Sequence, residues 1–219
     1  MMKYLRTLIS PALLGLAVLV APAGASAQEY YLDLHVGYNI VDDGDFEYGV
    51  DVPVSYKHRP AFGGAFGHLS QSGFRIEGEL SWRGNDVDKV AGANDAGRLT
   101  SLNLMVNALY ELEIGDTGAY GLGSTTPLRP YIGIGGGGAR YALEVIPSLA
   151  AAPVIDDRTY ALAYQGIVGL GIEIAEHATL TLDYRYLVSE NVKFTDATAT
   201  PLEIDLVQST FMLGLRTTF

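Results

Sequence analysis

The sequence predicts an all-β fold, an eight-stranded antiparallel up-and-down transmembrane β-barrel, on three observations. Apolar and polar residues alternate with a period of two in segment after segment. Aromatic residues gather at both ends of the apolar face. The last such segment runs to the final residue, Phe219, with no polar tail. Successive side chains of a strand point to opposite faces, so a sustained period of two is a strand signal.

Before the first strand stands a different kind of segment. Lys3 and Arg6 form a basic head, an apolar run extends from Leu8 to Val20, and Ala25-Ser26-Ala27 has the small-x-small pattern of a signal-peptidase site. The run is shorter than the roughly 20 residues of a spanning helix and contains Pro11. Residues 1–27 are therefore expected to be a signal peptide cut after Ala27, and 28–219 the barrel domain, with Ala25 and Ala27 reading the cut. Removal leaves 192 residues, with 12 basic against 25 acidic. That balance lacks the basic stripes nucleic-acid binding needs. The chain has no cysteine, so an oxidising compartment is permitted and neither a disulfide framework nor a thiolate metal site is possible.

The strands follow in order. Tyr30, Leu32, Leu34, Val36, Tyr38 and Ile40 share one face against Asp33, His35, Gly37 and Asn39. Residues 60–69 come next, glycine-rich and without a clear assignment of faces. Phe74, Ile76, Gly78, Leu80 and Trp82 alternate with Arg75, Glu77, Glu79, Ser81 and Arg83. Leu102, Leu104, Val106, Ala108 and Tyr110 oppose Ser101, Asn103, Asn107 and Glu111. Residues 131–141 are again glycine-rich. Leu162, Tyr164, Val168, Leu170, Ile172 and Ile174 oppose Gln165, Gly169, Gly171 and Glu173. Leu180, Leu182, Tyr184 and Tyr186 alternate with Thr181, Asp183 and Arg185, and Phe211, Leu213, Leu215, Thr217 and Phe219 with Gln208, Thr210, Gly214 and Arg216. The count is eight.

In the six clear strands every charge lies on one face, a pattern that a soluble sandwich also allows. The aromatics separate the two. Tyr30, Phe74, Tyr110 and Phe219 fall at one rim and Tyr38, Trp82, Tyr160 and Tyr186 at the other, as girdles flanking a hydrocarbon band. Longer links, 41–59, 84–97, 142–159 and 189–201, alternate with short ones, 69–73 and 175–178, as outer loops alternate with periplasmic turns. One periplasmic link, 112–129, is long and breaks that rule.

Pro130-Tyr131-Ile132-Gly133-Ile134-Gly135-Gly136-Gly137, Leu182-Asp183-Tyr184-Arg185-Tyr186-Leu187 and Leu213-Gly214-Leu215-Arg216-Thr217-Thr218-Phe219 resemble the signatures of the opacity-type small outer-membrane β-barrel proteins, relatives of the OmpA transmembrane domain. The resemblance covers essentially the whole chain after residue 27. It implies the outer membrane of a Gram-negative bacterium, with lipid and lipopolysaccharide as surroundings. It also implies an assembly-machinery signal in Phe211, Leu213, Leu215 and Phe219, from which Thr217 departs.

An eight-stranded barrel is just wide enough for side chains to fill it. Its lumen is expected to hold Asp33, Glu77, Glu79, Glu111, Glu173 and Asp183 with Arg75, Arg83, Arg185, Arg216 and His35. Unpaired charge there costs several kcal/mol per ion, so Arg75, Arg185 and Arg216 are expected to pair with Glu77, Glu79 and Asp183. Gly133, Gly135, Gly137, Gly169 and Gly171 are expected to make room for the arginines.

Other motifs carry less. Gly133, Gly135 and Gly138 fit a dinucleotide fingerprint, but Pro147 and Pro153 follow and no helical period does, so no cofactor is expected. Asp42, Asp43, Asp45, Glu47 and Asp51 lack calcium-loop spacing, and no metal site is expected. His35, His58, His68 and His177 are scattered and complete no catalytic triad. The expected role is non-enzymatic: envelope integrity or contact of four surface loops with a host or surface ligand. A narrow channel for small or apolar solutes and a lipid-A-modifying enzyme are the alternatives. The oligomeric state is not legible.

Overall fold

The computed structural model describes residues 29–47, 51–90, 93–112, 128–145 and 154–219. Residues 1–28, with the signal segment, and 113–127, most of the long periplasmic link, lie outside the described residues. Among the described residues ten strands and no helix are found: β1 Glu29–Val41, β2 Gly44–Glu47, β3 Asp51–Lys57, β4 Arg59–Leu69, β5 Phe74–Val90, β6 Ala93–Glu111, β7 Leu128–Val145, β8 Ile155–Ala175, β9 Ala178–Thr195 and β10 Pro201–Thr218.

Eight of them close a ring. β1 pairs antiparallel with β4, each strand from β4 to β10 pairs with the next, and β10 returns to β1. Closure leaves no edge and satisfies every ladder group within the wall, the condition for a sheet in lipid. The seam is long, from Tyr31 opposite Thr218 to Val41 opposite Gln208. The backbone N–H of Phe219 donates to Tyr30 carbonyl at 2.9 Å, so the last residue is tied to the first strand. A tight turn joins β4 to β5. There Gly73 has φ 82° and its carbonyl accepts from Glu111 N at 2.8 Å, so only glycine fits both the dihedral and the approach.

The outer links expected as loops are mostly strand. β5 runs to Val90, β6 starts at Ala93, β9 runs to Thr195 and β10 begins at Pro201. Where β1 and β4 stop, β2 and β3 take over: β3 pairs with β5 and β2 meets β10 at Glu47 and Glu203. The wall thus stays eight strands around above the membrane.

What changes at that height is polarity. In the membrane the apolar face looks outward: Leu34, Leu80, Leu104, Ile134, Leu182 and Leu213 are exposed. Above the outer aromatics the same inward columns become apolar, and Val54, Val87, Leu99, Leu143, Val145, Ile155, Phe194 and Ile204 pack into one buried cluster. Strand sections surrounded by water need an apolar interior, whereas sections surrounded by lipid do not. Register shifts near Asp88 and Asp205, with Asn191 at φ 53°, accommodate the change.

Candidate functional site: a layered lumen and its lipid-facing wall

The inward residues of the membrane section form three layers. Nearest the periplasm, Glu111 at the end of β6 accepts from Arg75 Nη1 at 2.9 Å, from Arg216 Nη1 at 2.7 Å and Nη2 at 3.2 Å, and from Arg129 Nη1 at 3.5 Å. Arg129 also donates to Glu173 at 3.0 Å. The Arg75 guanidinium lies between the rings of Tyr31 and Tyr131, 4.9 Å from each centroid.

In the middle layer, Glu77 accepts from Arg75 Nη2 at 3.1 Å, Tyr31 Oη at 2.5 Å and Asn107 Nδ2 at 3.0 Å. Glu79 meets Arg185 Nη1 at 2.5 Å and accepts from Gln165 at 2.9 Å. Asp183 accepts from Arg185 Nη2 at 2.7 Å and from the Tyr131 hydroxyl. Asp33 stands 3.8 Å from His35 Nδ1. All of these acids and arginines except Arg129 and Glu173 are buried. An arginine fork between two carboxylates offsets the desolvation that a lone buried ion would suffer.

The third layer is neutral. Asn39 Nδ2 donates to Asn85 Oδ1 at 2.7 Å and to Gln208 Oε1 at 3.1 Å, Thr210 Oγ1 donates to Asn39 Oδ1 at 2.6 Å, and Tyr141 Oη donates to Ser189 Oγ at 2.8 Å. Arg83 is buried beside this layer without a hydrogen-bond partner among the described residues. Above it begins the apolar cap. There burial, reinforced by Asp43 nearby, raises the Tyr56 phenol above its ordinary pKa.

The structure places the sequence-derived residues as follows. Arg75 meets Glu77, and Arg185 meets Glu79 and Asp183. Arg216 goes instead to Glu111, because its strand position sets it at the periplasmic end of the lumen. Tyr31, Arg129 and Tyr131 complete the network. Tyr31 was readable from alternation, whereas glycine neighbours hid the facing of Tyr131. The glycines correct their expectation: a Cβ at Gly135 would strike Asn107, at Gly169 the Tyr131 ring, and at Gly133 Leu109. Those three make room for neighbouring amide, aromatic and aliphatic side chains, Gly137 lies against the backbone of Leu104, and of the five only Gly171 lies beside an arginine, Arg129. The histidines stand apart: His35 in the lumen, His58 against Tyr38 at the outer rim, His68 against Tyr30 at the periplasmic rim, and His177 in the β8–β9 turn.

On the outside, the expected girdle residues all face away from the lumen. Tyr30 stacks on Phe66, which meets Phe219, and Phe62 stacks on Trp82. A family profile described as the outer membrane protein beta-barrel domain matches residues 11–214. The chain belongs to that family.

Membership places this outer-membrane β-barrel in the outer membrane of a Gram-negative bacterium. A solved structure agrees in fold. The barrel is similar to Neisserial surface protein A at 14% identity, over 90% of this chain and 100% of that one, with a TM-score of 0.53. It is also similar to AlkL, solved in DMPC bilayers, at 16% identity, 91% and 94% coverage and a TM-score of 0.48. Ail of Yersinia pestis, in complex with the heparin analogue sucrose octasulfate, matches at 11% identity, 88% and 98% coverage and a TM-score of 0.45. No curated protein matches the barrel in sequence.

Proposed function

We propose that this barrel, freed of residues 1–27, is a non-conducting, non-enzymatic anchor that acts in envelope integrity and surface contact through its outer extension. The observation that carries the reading is the apolar cap. Val87, Leu99, Leu143, Ile155, Phe194 and Ile204 are packed inside strands that stand above the membrane, so the outer end is held as a rigid wall and the lumen beneath it is filled. A rigid platform loses little conformational entropy on contact.

Its charge limits the partner. Residues 41–59, 84–98, 141–159 and 189–206 hold fifteen acidic against six basic residues. Such a surface suits neutral or cationic partners and repels polyanions. The outward-facing Phe211, Leu213, Leu215 and Phe219 of the last strand would serve the assembly machinery as its recognition signal.

The test is electrical. Purified barrel in planar bilayers should give no conductance steps at either polarity. Regular steps would replace the anchor with the narrow-channel reading. A changed lipid-A mass on overexpression would support the enzymatic alternative instead.

A further inference from the structure

In the membrane section β8 and β9 are in ladder register from Ala175 opposite Ala178 up to Tyr164 opposite Val188. Beyond that pair the two strands part. Residues 156–163 of β8 have ladder partners on β7 alone, and residues 189 and 192–195 of β9 have theirs on β10 alone. Among the described residues the strands rejoin at the outer tip, where Ile155 bridges Asp196 and Ala197 N–H donates to Val154 carbonyl at 2.9 Å. β9 turns away at Asn191, which has φ 53° and lies at the register shift against Ile204 and Leu206, and its N–H donates to Asp205 Oδ1 at 2.8 Å. Higher up, Thr195 N–H donates to Asp157 Oδ2 at 2.8 Å, so a side-chain carboxylate stands where a strand carbonyl would accept.

The side chains register the parting. On β7 the inward Ala139, Tyr141 and Leu143 are buried, yet Ala161, Thr159 and Asp157, their partners on β8, are only half-buried. Outward Tyr160 and Leu162 are 77% and 83% exposed, more than any other large apolar side chain among the described residues. A strand edge whose backbone lies outside any ladder, with apolar side chains beside it, is a template for a further strand. The rim of this seam is acidic. Asp156, Glu190 and Asp205 are exposed and Asp157 is half-buried, against Arg158, while Lys193 is held by Glu203 at 2.9 Å.

We infer that the outer β8–β9 seam is a strand-addition site, where an extended, cationic polypeptide segment of a partner pairs with the β8 edge over residues 156–163. Main-chain hydrogen bonds supply the affinity, Tyr160 and Leu162 supply apolar contact, and the acidic rim selects strands that carry lysine or arginine. The same acids repel a second copy of this chain. β9 keeps its own ladder with β10, so admitting a strand requires opening the tip at Ile155 and Asp196 and nothing below it. The inference rests on the surface-contact role proposed above and specifies the form of the partner.

The test uses the folded barrel in lipid nanodiscs and a fluorescent peptide of alternating lysine and valine, with binding read by anisotropy. Two further peptides serve as controls: one of alternating glutamate and valine, and the lysine peptide N-methylated at two adjacent central residues, which keeps the charge and blocks both hydrogen-bonding edges. Wild type should bind the lysine peptide at least about tenfold more tightly than either control. The chain has no cysteine, so Ile155→Cys with Asp196→Cys places a single staple across the tip. Oxidised, that barrel should bind the lysine peptide about tenfold more weakly than wild type, and reduction should restore binding. Equal binding of the N-methylated and unmodified lysine peptides would overturn the inference, as would equal binding by the oxidised and reduced staple. Each variant is first checked for wild-type gel mobility without boiling, and Val154→Cys with Ala197→Cys replaces the staple if the first pair fails to fold. A barrel that is electrically silent yet binds no peptide removes this inference and leaves the anchor role standing, whereas conductance steps with peptide binding intact remove the anchor role alone.

Discussion

Arg216 of the last strand holds Glu111 of β6 through two hydrogen bonds, 2.7 Å from Nη1 and 3.2 Å from Nη2, although 105 residues separate them in the chain. The contact crosses the lumen, and Arg75 shares the same carboxylate. Removing one partner of such a group strands the others in a buried place. Glu111→Ala should destabilise the barrel by about 3–5 kcal/mol, measured as the urea midpoint in lipid vesicles. Glu111→Leu with Arg216→Leu removes both charges and should recover much of that loss. A single variant as stable as wild type would deny the hub its importance.

Glycines on the two faces of the wall should respond oppositely. Gly169→Ala pushes a methyl into the Tyr131 ring and should cost about 1–3 kcal/mol. Gly78→Ala enters open space and should change stability by no more than about 0.5 kcal/mol. The same unfolding midpoints decide both.

The apolar cap should be a separate unit of stability. Phe194→Ala opens a cavity in it and should cost about 3–5 kcal/mol locally. Limited proteolysis should then cut the outer ends of β9 and β10 while the membrane section stays resistant. Cleavage no faster than in wild type would show that the cap contributes little.

The amino terminus offers a covalent test. The outer-membrane form should have the mass of a chain beginning at Gln28, and Ala27→Tyr should leave the longer precursor, because the small residue at the cut is lost.

The membrane section was legible from sequence for a physical reason. Lipid on one side and a packed polar lumen on the other force opposite chemistry onto adjacent residues, so Phe74 to Arg83 reads as a strand at sight. The outer extension was not legible, because its polarity inverts. In β5 the inward column passes from Arg83 and Asn85 to Val87 and Val90, while Asp86 turns to the charged outer face and meets Arg59. Read linearly, Asp86-Val87-Asp88-Lys89 looks like a loop. The pairing of charges was hidden for another reason. Glu111 and Arg216 meet only after the ring closes, and period two fixes the face of a residue without fixing its height in the barrel.

The most direct test of the closed barrel is gel mobility of the outer-membrane form with and without boiling. A ring of eight strands sealed by the β1–β10 seam should survive detergent at room temperature and migrate at a different position until heat opens it. Identical mobility before and after boiling, in a chain recovered from the soluble periplasm, would contradict the account and favour an open, soluble sandwich.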